Sequence, residues 1–206
     1  MEADRQAALK DLCAEIARCR RCALAQTRKL TVPGEGPVDA EVMFIGEAPG
    51  YHENQQGRPF VGAAGQFLEE LLASIGMKRE QVYIGNVIKC RPPNNRDPQA
   101  DELEACRPYL TRQIELIDPR LIVTLGRFSM AYFLGHQSIS RVHGQAHWQG
   151  GRLILPIFHP AAALHQNKYR AAIEQDFRQI PALLNQARQA GKVEPPPVAP
   201  QQLTLF

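Results

Sequence analysis

No run of 18 apolar residues occurs anywhere in the chain, so a membrane-spanning helix is excluded. The opening residues, MEADRQAALKDL, have neither the basic stretch nor the apolar core of a secretory signal. The expected location is therefore the cytoplasm, with no membrane partner. A large net charge is missing too: 24 basic against 21 acidic residues leave +3. So small an excess permits nucleic-acid binding without arguing for it. There is no internal repeat and no collagen-like or coiled-coil composition. Cysteine is sparse and odd in number, at five. In a cytoplasmic chain that does not suggest a disulfide framework.

What is present is ordinary globular material. The chain has 206 residues, 44% hydrophobic and 22% charged. That suits one domain with a sizeable core, read here as residues 1–190. After Gly191 the sequence KVEPPPVAP reads as a Pro-rich linker without core residues, so 191–206 is expected to be a flexible tail.

Apolar spacing predicts a helix over 3–19, carried by Ala7, Leu9, Leu12, Cys13 and Ile16. Four short apolar runs read as buried strands: 42–45, 82–84, 121–125 and 153–158. The first feeds a Gly/Pro loop running from Gly46 to Gly65. Phe67, Leu68, Leu71, Leu72 and Ile75 then mark a helix that Gly76 would end. A polar loop, RPPNNRDP, covers 91–98. Leu103 to Ile117 reads as helix, broken or restarted at Pro108. Further helices are expected over 127–134 and 168–189, the last tolerating or kinking at Pro181. Strands alternating with helices predict an α/β fold with a mostly parallel, four-stranded sheet. Such sheets bind ligands at the carboxyl ends of their strands, here Gly46, Asn86, Gly126 and His159.

Cys13 shares a helical stripe with Leu9, Leu12 and Ile16 and reads as a small buried residue. The other four differ. Cys19 and Cys22 form a C-x2-C pair, and Cys90 and Cys106 enclose 15 residues. A pair plus two distant singles is a ligand pattern, and spacing alone leaves iron–sulfur and tetrahedral zinc both open. Arg18, Arg20, Arg21 and Arg91 lie beside these cysteines, to offset cluster charge, touch phosphate or face solvent.

GEAPG (46–50), GRPFVGAAG (57–65), NVIKCRPPNNRDP (86–98), the C-x15-C pair and HPAAAL (159–164) occur in this order. The set resembles the family 4, iron–sulfur branch of the uracil-DNA glycosylases, from about Cys19 to Leu184. The resemblance implies a three-layer α/β/α domain and a monofunctional enzyme that releases uracil from DNA. It implies a [4Fe–4S] cluster on Cys19, Cys22, Cys90 and Cys106. It implies that Asn86 reads the uracil edge, that Phe60 stacks on the base, and that Gly46 and Ala48 border the same pocket. Glu47 and His159 are the implied catalytic pair, with His159 also holding the uracil carbonyl. A related family places an Asp where Ala48 stands, so the role left to Glu47 is either orienting water or stabilising positive charge on the sugar. That missing Asp also leaves open a module that binds uracil in DNA without turnover. Leu164 would wedge into the duplex, and His165 and Lys168 would meet phosphate. Relatives that trap the sugar covalently use a His between the Asn and the last Cys; the stretch 89–106 has none. His143 and His147 are expected to face DNA or solvent.

The last residues carry a separate signal. Gln202, Leu203, Thr204, Leu205 and Phe206 resemble a peptide that binds the bacterial sliding clamp, with Gln202, Leu203, Leu205 and Phe206 as its contacts. The expected partners are thus uracil-containing DNA and the clamp, for a monomeric protein.

Overall fold

A computed structural model describes residues 2–190. The helices are α1 (Glu2–Ala17), α2 (Tyr51–Gln56), α3 (Ala63–Ser74), α4 (Ala100–Ile117), α5 (Arg127–Leu134), α6 (Ile139–Val142), α7 (Pro160–Ala163), α8 (Asn167–Phe177) and α9 (Ile180–Gln189). The strands are β1 (Val42–Gly46), β2 (Tyr83–Asn86), β3 (Leu121–Leu125), β4 (His147–Gln149) and β5 (Arg152–Ile157). They form one sheet in the order β2-β1-β3-β5-β4. All pairings are parallel except β4 on β5.

Parallel strands need both faces covered, which is why they read as unbroken apolar runs. Val42, Phe44, Val123 and Leu155 point to one face, where α3, α8 and α9 supply Leu68, Phe177 and Leu184. Phe44 and Phe177 meet there with ring centroids 5.7 Å apart. Met43, Ile45, Ile122 and Ile154 point to the other face, against Leu9 of α1 and Leu110 and Ile114 of α4. The result is the expected α/β/α layering, and no described helix is long and apolar enough to cross a membrane.

Several local expectations need correction. The sheet has five strands, not four. The additional strand, His147-Trp148-Gln149, is short and half-exposed, so it lacks an apolar run. It turns into β5 through Gly150 and Gly151, at φ +56° and +74°, the two-glycine turn that favours a hairpin. The loop after β1 holds α2, whose polar sequence YHENQQ shows no apolar stripe. α4 runs unbroken through Pro108. Pro108 is exposed, so the carbonyl of Glu104 that loses its donor lies on the solvent side, while Cys106, Tyr109, Leu110 and Gln113 hold the inner face. The last helix is two helices, parted at Arg178 and Gln179, with Pro181 in the first turn of α9, where a missing N–H costs nothing. Cys13 is half-buried, because only Leu9, Leu12 and Ile16 of its stripe turn fully inward.

Candidate active site

The ends of β1, β2 and β5 deliver Glu47, Asn86 and His159 to one cavity of about 410 Å³, which Ala48 and Phe60 also line. Its floor is Gly46. A Cβ on that residue would fall 2.5 Å from Asn86 Oδ1 and 2.7 Å from Phe60 Cζ. Only glycine lets the two side chains meet over the strand end.

Asn86 is 1% exposed, and its Oδ1 has no partner within the protein. A buried acceptor in that state costs free energy until a ligand or water satisfies it. Its backbone is held firmly. Lys89 Nζ donates to the Asn86 carbonyl at 2.8 Å and to Gln113 Oε1 at 2.6 Å. Gln113 Nε2 donates in turn to Tyr83 Oη at 2.9 Å and to the Pro33 carbonyl at 2.8 Å. Burial pulls the Lys89 ammonium down to about 8, against an opposing effect of Cys106 and Cys13. Sequence reasoning missed Lys89; its signal is a lysine inside the apolar run VIKC.

Phe60 has φ +51°, in the left-handed region a bulky residue rarely occupies. Three contacts impose it. Arg79 donates to the Pro59 and Phe60 carbonyls, the latter at 3.1 Å. Gly65 packs so closely that a Cβ there would lie 1.9 Å from the Phe60 oxygen. Glu53 Oε1 accepts the Val61 and Gly62 N–H groups, each at 2.8 Å. The other oxygen of Glu53 accepts the Gly50 N–H at 3.1 Å. This buried carboxylate therefore ties GEAPG to GRPFVG. It too escaped the sequence reading. The Phe60 ring lies 5.8 Å from the His159 ring, 24° from parallel.

His159 Nδ1 accepts the Ala161 N–H at 3.1 Å, which assigns the imidazole proton to Nε2. Burial pushes its pKa down to about 4, with Glu53 opposing. It is a neutral hydrogen-bond donor. Glu47 moves the other way. Burial first, then the charge of Asp97, raise its carboxyl to about 7, while Arg127 pulls it back. Asp97 and Arg127 pair with each other at the surface.

Cys19, Cys22, Cys90 and Cys106 gather on one apolar cluster with Leu12, Ile16, Leu24, Ile88 and Tyr109. Burial raises the Cys90 thiol, Arg28 opposes it, and the nearby Cys22 and Cys19 add to the rise. Burial raises Cys106 to about 11, with Cys90 and Cys22 adding. Among the described residues, no three His, Cys, Asp or Glu side chains form a grouping suited to one metal ion. The arginine on a thiol is Arg28, which donates to Cys90 Sγ at 3.2 Å. It was not among those singled out from the sequence. Arg18, Arg20 and Arg21 are exposed.

Leu164 is 47% exposed just beyond α7, and His165 and Lys168 are exposed beside it. His143 is not a free surface residue. Its Nδ1 pairs with Asp176 Oδ2 at 2.8 Å, and its ring packs on Phe158 at 4.4 Å. His147 is half-buried. Gln202, Leu203, Leu205 and Phe206 lie outside the described residues.

A sequence model of the uracil DNA glycosylase superfamily matches residues 33–180. The type-4 uracil-DNA glycosylase of Saccharolobus solfataricus is 50% identical over 181 residues, covering 83% of this chain and 84% of that protein. That of Sulfurisphaera tokodaii is 49% identical, covering 81% and 80%. That of Thermotoga maritima is 42% identical, covering 82% and 91%. With the motifs and these similarities in agreement, the chain belongs to the type-4 branch of the uracil-DNA glycosylase superfamily.

Proposed function

We propose that this chain hydrolyses the bond between uracil and deoxyribose in DNA, releasing uracil and leaving an abasic site. The observation that carries the reading is the unpartnered Asn86 amide oxygen in a cavity bounded by Phe60 and His159. Uracil presents N3–H as donor and O4 as acceptor. The Asn86 carbonyl accepts the first and its NH₂ donates to the second. Cytosine presents the reverse pattern and leaves both groups of Asn86 unmatched. The target nucleotide must leave the stack to enter, and Phe60 replaces its lost neighbours with an aromatic face.

As the C1′–N1 bond breaks, its electron pair stays on N1 and the base departs as an anion. His159 Nε2–H donates to the uracil O2, where that charge develops. One such donor lowers the barrier by roughly 3 kcal/mol. The sugar becomes oxocarbenium-like, and the Glu47 carboxylate lowers its energy by Coulomb attraction. Water adds its oxygen to C1′ and gives up one proton to Glu47 or solvent; the uracil anion takes one up. Among the described residues no lysine lines the cavity, which supports a monofunctional enzyme. Lys89 is tied to Asn86 and Gln113 behind the pocket.

Four cysteines on one apolar cluster are the donor set that a [4Fe–4S] group takes. Buried thiols with raised pKa values need a strong cation to ionise. When bound, the group supplies a crosslink between the chain after α1, the segment after β2, and α4. Leu164 fills the gap left by the extruded nucleotide, and His165 and Lys168 meet phosphate. The tail residues Gln202, Leu203, Leu205 and Phe206 dock on the sliding clamp, raising the local enzyme concentration at replicated DNA. The protein acts as a cytoplasmic monomer.

The test is a single-turnover assay on a labelled single strand with one deoxyuridine, followed by alkaline cleavage. A cut at uracil, absent from a thymine control, is expected. No cut by cluster-loaded protein that still binds the strand would replace this reading with non-catalytic binding and make Ala48 the explanation.

A further inference from the structure

Tyr51 opens α2 directly after Gly50, which lines the cavity. It is 54% exposed, unusual for a large ring beside a binding site. The Arg91 guanidinium carbon lies 5.3 Å from its centroid, covering one side. The His52 ring meets it edge-on at 5.5 Å and 84°. Arg91 is itself held, because its Nε donates to Asn95 Oδ1 at 2.7 Å. Asn95 lines the cavity as well, in a loop shaped by two successive left-handed residues, Asn94 and Asn95, at φ +55° and +54°. An aromatic ring and a fixed cation thus stand on the cavity rim, tied to its wall from two separate segments.

Resting on the reading that a uracil nucleotide enters this cavity, we infer that Tyr51 and Arg91 form a stacking subsite for a neighbouring base of the same strand. Extruding one nucleotide strips the next of its stacking partner and brings it to the rim. The free area of the Tyr51 ring takes that base. Arg91 keeps the ring oriented and offers its remaining N–H donors to the adjoining phosphate. Asn95 positions Arg91. Stacking of this kind tolerates any sequence, as a repair enzyme requires.

The experiment is a thermodynamic cycle read by fluorescence anisotropy on the full-length protein. One strand carries an abasic analogue at the target position with ordinary neighbours. The other has the bases of both neighbours removed as well. Tyr51→Ala should weaken binding to the first strand about tenfold, the scale of one lost base–aromatic stack, and Tyr51→Phe should stay within about twofold. On the second strand, wild type and Tyr51→Ala should bind alike. Equal binding of the first strand by wild type and Tyr51→Ala would overturn the inference. So would a loss that persists on the second strand. Tyr51 is a surface residue, so the variant keeps its fold. Wild type is first assayed on the matching deoxyuridine strand: no excision there sinks the functional reading and this inference with it, whereas excision with a flat cycle sinks the inference alone.

Discussion

The ammonium of Lys89 donates to the backbone carbonyl of Asn86 at 2.8 Å, and both residues are shut away from solvent. The relationship matters because Asn86 carries the unpartnered amide and Lys89 precedes a clustered cysteine. Between them, the Val87 N–H binds the Gly46 carbonyl at 3.0 Å and the Ile88 N–H binds that of Glu47 at 3.2 Å. Five consecutive residues, 86–90, therefore run from the cavity to the cysteines, and Val87, Ile88 and Lys89 are each bonded to residues at the strand ends that carry the cavity.

Replacing Lys89 with Met should leave the Asn86 carbonyl and Gln113 Oε1 without partners. Each buried loss costs about 1–3 kcal/mol, so a lower melting temperature is expected. Adding Gln113→Leu removes the Oε1 orphan but takes the donor from Tyr83 Oη and the Pro33 carbonyl, so it should not recover that stability. It should not recover the rate, because Asn86 stays unanchored. Melting curves and single-turnover rates on both variants check this; a normal rate in the double variant would contradict it.

Gly46→Ala places a Cβ 2.5 Å from Asn86 Oδ1 and 2.7 Å from Phe60 Cζ. Neither neighbour can yield without leaving its position against the base. Displacement by about 1 Å at a reacting centre costs on the order of 100-fold, so excision should fall that far while the protein still folds. Circular dichroism and excision kinetics, measured together, decide it.

The pH profile follows from two opposite shifts. In the proposed reaction Glu47 works as a carboxylate, and its pKa is about 7, so the rate should rise as pH climbs through 7 and level off above it. His159, proposed as a neutral donor, has its pKa pushed down to about 4, so its protonation should not change across that whole range. Glu47→Gln should be slower and should lose the rise. A wild-type rate flat from pH 5.5 to 8.5, a window of about 1.5 units to either side of 7, would sink the assigned role of Glu47.

Removing residues 201–206 should leave excision from a short oligonucleotide unchanged and abolish capture on immobilised sliding clamp. Retained capture would refute the role given to the tail.

The central strands were readable because burial on both faces leaves runs such as Leu121–Leu125 wholly apolar. β4 was not, because its pairing rests on the Gly150-Gly151 turn rather than on its own side chains. The cavity residues Glu47, Phe60, Asn86 and His159 stand in compact motifs at strand ends or in loops. The groups that hold them act across long stretches of chain. Gln113 reaches Pro33 over 80 residues and Arg79 reaches Phe60 over 19, and no local spacing displays either contact. Glu53 hid differently: a carboxylate in a polar helix reads as solvated until its three backbone partners are seen.

The most direct measurement compares single-turnover excision from strands carrying uracil, cytosine or thymine at one position, for wild type, Asn86→Ala and His159→Ala. Wild type should cut only the uracil strand, and Asn86→Ala should lose rate and selectivity together. His159→Ala should lose about 100-fold in rate, the scale of one missing donor to a developing anion, while binding changes little. Near-normal uracil excision by both variants would contradict the site.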